Sequence, residues 1–106
     1  MRLGVVVYSN DAETVWNALR IANHARDLSD EVTLFLLGKG VEAEKLDHSE
    51  FKVNEFLSAF VEKGGRIFAC STCLSIRNLQ VSSQIQVGTL AHLYEIIRAS
   101  DRLISF

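Results

Sequence analysis

Apolar and polar positions along this chain keep two rhythms. Residues 3–8 form a continuous, β-branched apolar run, which predicts a strand buried on both faces. Ser9-Asn10-Asp11 turns the chain, with Asn10 the expected helix N-cap and Glu13 three residues on, close to a capping box. Val15, Ala18, Leu19 and Ala22 then recur at helical spacing, as one stripe laid on a sheet. Residues 31–37 predict a second strand, closed by Gly38-Lys39-Gly40. Residues 41–46 read as a short helical turn and Asp47-His48-Ser49 as a loop. Val53, Phe56, Leu57, Phe60 and Val61 repeat the helical stripe, and Gly64-Gly65 ends it. Residues 67–70 predict a third strand that runs straight into a short helix through Arg77. Residues 84–87 predict a fourth strand, Thr89 caps a helix carrying Leu90, Leu93, Tyr94 and Ile97, and residues 102–106 predict a fifth strand.

Strand and helix alternate throughout. That pattern predicts a three-layer α/β/α fold, flavodoxin/Rossmann-like in architecture, with a five-stranded, mainly parallel sheet. The chain of 106 residues, 48% apolar and without proline, has no linker, repeat or low-complexity stretch. One domain over 1–106 is therefore expected. In such folds ligands sit beyond the carboxyl ends of the strands. Three loops should gather there: Ser9-Asn10-Asp11, Gly38-Lys39-Gly40, and the segment from Cys70 to Cys73.

Charge narrows the partners. The net charge is −2, with acids and bases interspersed. No basic stripe suits nucleic acid, and no polybasic run suits a membrane surface. No apolar run approaches the ~20 residues that span a bilayer. Met1-Arg2-Leu3-Gly4-Val5 lacks a signal-peptide layout, so a cytoplasmic protein is expected.

The candidate chemistry lies in Cys70-Ser71-Thr72-Cys73, which holds both cysteines of the chain. In a reducing compartment such a pair reads as catalytic, redox-active or metal-binding rather than as a structural disulfide. Cys70 falls at a strand-to-helix turn, where free N–H groups and the helix dipole favour the thiolate; Ser71 and Thr72 supply the nearest N–H donors. No acidic residue lies between Cys70 and Arg77 to oppose this. The bland alternative, a cysteine that merely packs, weighs more on Cys73 than on Cys70.

Three chemistries suit the motif. Zinc would need further ligands, and His24, His48 and His92 have no ligand spacing, so no metal is expected. Thioredoxin-like exchange is a second, set back because thioredoxin-like proteins place a cis-proline beside the motif. The third is carriage of sulfane sulfur on Cys70 as a persulfide, which needs one exposed, activated thiolate. The first strand-to-helix turn has no glycine and carries Asp11 and Glu13, which repel phosphate, so no nucleotide or flavin cofactor is expected. Lys39 is either part of a flexible turn or a source of positive potential near the thiolate. Arg77 lies seven residues after Cys70, two turns along nearly the same face, a distance that suits a structural or interface role as well as pairing. His92 reads as a solvated or packed side chain, and Trp16 and Phe51 as core or subunit-interface residues.

Four segments, taken in order, resemble the DsrE/DsrF/TusD-type sulfur-relay family. They are Tyr8-Ser9-Asn10-Asp11-Ala12-Glu13-Thr14-Val15-Trp16-Asn17-Ala18, Phe35-Leu36-Leu37-Gly38-Lys39-Gly40-Val41-Glu42, Cys70-Ser71-Thr72-Cys73-Leu74, and Ala99-Ser100-Asp101-Arg102-Leu103-Ile104-Ser105-Phe106. The chain is most similar to small stand-alone DsrE-like members. The resemblance implies a DsrEFH-like α/β fold and homo-oligomers, commonly trimers or hexamers. It also implies a persulfide carried on a cysteine seven residues before an arginine, a role that transfers to Cys70 with Arg77. Cys73 matches a second cysteine found in a subset of members. Asn78 stands where the family often has glycine, and asparagine also accepts left-handed backbone. The expectation is therefore a cytoplasmic sulfur carrier, a sulfurtransferase-type relay served by donor and acceptor proteins, with Cys70 and Cys73 at the site and Ser71, Thr72, Arg77, Asn10 and Lys39 in support. Two alternatives stand beside it: a dithiol redox protein using Cys70 and Cys73, and an oligomeric interaction module whose cysteines only pack.

Overall fold

The computed structural model describes residues 1–106. Two strands form the centre. In β1 (Arg2–Val7) and β2 (Glu31–Leu36) every residue after the first is buried, as an apolar run without alternation requires. They pair in parallel, from Arg2 opposite Glu31 to Val7 opposite Leu36. β3 (Arg66–Cys70) adds beside β2, β4 (Gln86–Gly88) beside β3, and β5 (Arg102–Ser105) on the far side of β1. The sheet is thus five-stranded and wholly parallel, in the order β4-β3-β2-β1-β5.

Right-handed crossovers decide which face each helix covers. The chain steps one way from β1 to β3, so α1 (Ala12–Asp27) and α2 (Val53–Glu62) share a face. There Val15 and Leu19 of α1 and Leu57 of α2 meet Val7, Leu34, Leu36 and Ile67 of the strands. After β4 the chain reverses across the sheet to reach β5. Its crossover, α4 (Leu90–Ala99), therefore lies on the other face, with His92 stacked on Phe68 of β3. α3 (Ser71–Ile76) follows β3 directly. One apolar cluster of 24 buried residues runs through the sheet. No helix is long and apolar enough to cross a membrane.

Several elements differ from the sequence expectation. Asp11, not Asn10, caps α1: its carboxylate accepts from the Thr14 N–H at 3.0 Å and the Thr14 hydroxyl at 2.9 Å. The helix begins at Ala12, so Thr14 rather than Glu13 stands at the third position. The short helical turn is longer than expected, a 3₁₀ segment over Gly38–Lys45. β4 starts two residues later than the expected residue 84, and β5 ends at Ser105, although Phe106 still accepts from the Tyr8 N–H at 2.9 Å.

The α4 stripe also splits. Only Leu93 is buried, helped by the partly buried Ile96, because these two lie on the ridge that meets the sheet. Leu90, Tyr94 and Ile97 point away from it, at 62%, 57% and 42% exposed. Trp16 is half-buried against Phe51 and Phe56, with Arg20 over its ring.

Two glycines hold the 3₁₀ segment where it is. Gly38 has φ +56°, in the left-handed region. Gly40 packs so tightly on β1 that a β-carbon there would fall on the Val7 carbonyl oxygen. A rigid backbone cannot give way as a side chain would. Gly40→Ala should therefore lower the stability by about 2 kcal/mol or more, and Gly38→Ala, where no atom stands in the way, by about 1 kcal/mol. Urea denaturation midpoints read both, and equal losses would contradict the assigned contact.

Candidate functional site

Because β2 and β3 are adjacent and parallel, their carboxyl ends emerge side by side, with Leu36 opposite Ala69. The 3₁₀ segment leaves one end and α3 leaves the other. Cys70 is the last residue of β3 and the N-cap residue of α3, and its side chain makes no cap bond. Cys73 follows one turn later. Both thiols are free.

Burial ranks the pair in reverse of the sequence expectation. Cys70 is 3% exposed, whereas Cys73 is only half-buried. The cause is position: Cys70 sits inside the ladder, opposite Gly88, while Cys73 faces the 3₁₀ segment. The donor that reaches a sulfur also differs from expectation. It is the Gly38 N–H, 3.2 Å from Cys73 Sγ, rather than the N–H of Ser71 or Thr72.

The electrostatics favour a thiol over a thiolate at Cys73. Burial pushes this group above its ordinary value of 9.0, and the hydrogen bond with the Cys70 thiol pushes the same way. The Gly38 N–H and the Arg77 charge act against them without prevailing. α3 has six residues, so its macrodipole is small.

Arg77 closes α3 at its C-cap. Its Nη1 donates to the Cys73 carbonyl oxygen at 3.1 Å, and its Nε donates to Glu42 Oε2 at 3.0 Å. Neither bond goes to a sulfur. Asn10 and the Lys39 charge also act on the Glu42 carboxyl, both lowering its pKa. Of the predicted supporting residues, Asn10, Lys39 and Arg77 therefore gather around Glu42. Ser71 is half-buried and Thr72 exposed at the start of α3. Asn78, just past α3, has φ +48°, the left-handed backbone anticipated for it.

Glu42 is the residue that sequence reasoning missed; the loop of Gly38 was expected at this edge, but not its N–H as the donor to sulfur. The signal lay in chain order: a loop after β2 must meet the loop after β3 if those strands are neighbours. No group of three or more His, Cys, Asp or Glu side chains is placed to hold a metal ion. A cleft of about 330 Å³ opens near the amino ends of the strands, beside Arg2, Glu31, Thr33, Arg66, Phe68 and His92. It shares no residue with the thiol site, and both arginines there are paired with Glu31, at 3.2 and 3.8 Å.

Comparison with known proteins agrees with the fold. The model of the DsrE/DsrF-like family matches residues 1–106. An uncharacterized protein of Methanocaldococcus jannaschii is 29% identical over 100 residues, spanning 89% of this chain and 88% of that protein. An uncharacterized protein of Methanopyrus kandleri is also 29% identical over 100 residues, spanning 89% and 83%. Among solved structures, the ychN protein from E. coli superposes with a TM-score of 0.85 at 22% identity, covering all of both chains. A conserved protein of unknown function from Bacteroides thetaiotaomicron superposes at 0.77 and 20% identity, covering 99% of this chain and 94% of that one. Likeness at such identities establishes the fold.

The Glu42–Arg77 pair has a consequence for stability. The Arg77 hydrogen bond holds the Glu42 carboxyl below its ordinary 4.5 in the folded chain. The unfolded chain then binds more protons in acid, so the pair stabilises above about pH 4.5 and loses its contribution as pH falls through the lowered folded value. Glu42→Gln should show a shallower acid-side loss of stability than wild type in urea midpoints taken across that range. Parallel curves for the two proteins would contradict the coupling.

Proposed function

This chain belongs to the DsrE/DsrF-like family, and from that membership and its paired thiols we propose that it carries sulfane sulfur. Membership suggests a sulfur-relay-type role. The observation that carries the reading is two free thiols at the carboxyl end of a central parallel strand, with the Gly38 N–H aimed at one sulfur.

Cys70 is the proposed carrier. Its thiolate attacks the outer sulfur of a donor persulfide, the new S–S bond forms on Cys70, and the donor leaves as a thiolate. At 3% exposure Cys70 is not the exposed thiolate expected from the sequence, so the strand end must open for a donor or an acceptor to reach its sulfur. An acceptor thiolate takes the outer sulfur in the same way and leaves Cys70 as thiolate. Cys73 stands on the more open side, where a partner's cysteine would approach. Donor and acceptor are proteins of a reducing compartment, with the cytoplasm the proposed location.

A second reading has its own support. Cys70 and Cys73 are both free, lie one turn apart at the start of α3, and Cys70 acts on the ionisation of Cys73, an arrangement that suits reversible disulfide chemistry. Cys73 thiolate could also attack Cys70 of the persulfide, forming the disulfide and releasing hydrosulfide. Relay and redox cycling part company in a redox titration, where only the second needs a disulfide at accessible potentials.

Self-association is part of the proposal. The outward stripe Leu90, Tyr94 and Ile97 of α4 is apolar, and Val87 nearby in sequence is 57% exposed. Such a surface suits subunit contacts, in keeping with the trimers or hexamers implied by the resemblance.

Incubation with a small-molecule persulfide donor, followed by intact-protein mass measurement, tests the carrier role. Wild type should gain one sulfur atom and Cys70→Ser none, while Cys73→Ser should gain the atom and hold it longer. Equal gain in wild type and Cys70→Ser would overturn the assignment. For the surface, wild type should sediment as an oligomer, and Leu90→Glu combined with Tyr94→Glu should sediment as a folded monomer. A monomeric wild type would remove the self-association proposal.

A further inference from the structure

Arg77 is the one cation whose charge acts on Cys73, yet its guanidinium is committed elsewhere. Nε goes to Glu42 and Nη1 to the Cys73 carbonyl oxygen. The second bond holds the guanidinium within one residue of a thiol. The first holds it against the Glu42 carboxylate of the 3₁₀ segment, which Asn10 from the turn after β1 and the Lys39 charge also stabilise in its ionised form. Glu42 and Arg77 are each about one-third to one-quarter exposed, at 32% and 26%, so water screens them only in part.

We propose that Glu42 is a positioning residue that keeps the Cys73 thiol dormant, by anchoring Arg77 and cancelling its charge beside that residue. This rests on the reading of Cys70 and Cys73 as reactive thiols. The groups that face Cys73 are few. Cys70 comes from β3, the Gly38 N–H from the 3₁₀ segment, and Arg77 from its own helix. Of these, only Arg77 brings a full positive charge, and only Glu42 offsets it through a direct ion pair. Removing the carboxylate leaves that charge free to act on the sulfur, and the thiolate fraction rises. Thiolate is the species that attacks, so the ion pair sets how readily Cys73 reacts, whether with an alkylating agent or with a persulfide on Cys70.

Alkylation by iodoacetamide measures the effect without any sulfur donor. Sulfur forms a bond to carbon, iodide leaves, and the rate follows the thiolate fraction. The rate at Cys73 is read by peptide mass from about pH 6 to about pH 10, across the ordinary thiol range. Glu42→Gln keeps the shape and removes the charge. It should react about threefold faster near neutral pH, with the midpoint of its rate profile moved to lower pH. Glu42→Asp should restore most of the wild-type profile, and Glu42→Gln with Arg77→Gln should lose the gain. An unmoved midpoint in Glu42→Gln would overturn the inference, and so would a gain that persists in the double variant, since either means exposure rather than charge. The outcome stands apart from sulfur carriage. A wild type that takes up no sulfur defeats the carrier reading and leaves this profile intact; an unmoved midpoint does the reverse.

Discussion

The parallel pairing of β2 with β3 is the constraint from which the site follows. Parallel neighbours bring their carboxyl ends out together, so two segments far apart in sequence must share one small region. The 3₁₀ segment and α3 occupy it, and the Gly38 N–H and Cys73 Sγ become partners across 35 positions of chain. Gly40 tightens the arrangement, because only a residue without a side chain lets that segment lie on the Val7 carbonyl. The Glu42–Arg77 pair then ties the segment to the end of α3.

Most of the architecture was legible from apolar periodicity. The runs in β1 and β2 and the stripes of α1 and α2 stated their burial directly, and the Thr89 cap of α4 appears as foreseen, with His92 completing the box. α4 was legible as a helix but not in its orientation. A stripe of Leu90, Leu93, Tyr94 and Ile97 does not say which edge meets the sheet, and packing chose Leu93 with Ile96. The α1 cap was misplaced by one residue because Asn10 and Asp11 are equally good candidates by composition. Asp11 takes the cap, and Asn10 is left free to reach Glu42.

The site was legible in its residues and not in its physics. The pair Cys70 and Cys73, and the place beyond the strand ends, could be read from the motif. Their burial could not, because a cysteine that ends a strand is sheltered only if another strand lies beside it, as β4 does. The expected acid-free surroundings were true of the local sequence alone: Glu42 arrives from the neighbouring strand's loop. At Cys73, desolvation outweighs the N–H and the guanidinium, so burial and not the short helix governs the proton.

The far side of the sheet carries a different consequence. β1 lies between β2 and β5, and the register that sets Leu3 opposite Arg102 joins nearly opposite ends of the chain. During synthesis β1 emerges first and its second edge stays unpaired until β5 is made. Such long-range closure slows folding. Meanwhile a strand of apolar residues offers open hydrogen-bonding groups to any other nascent chain. The interval between the making of β1 and of β5 is thus when this edge is most exposed to aggregation, and pairing with β5 ends it.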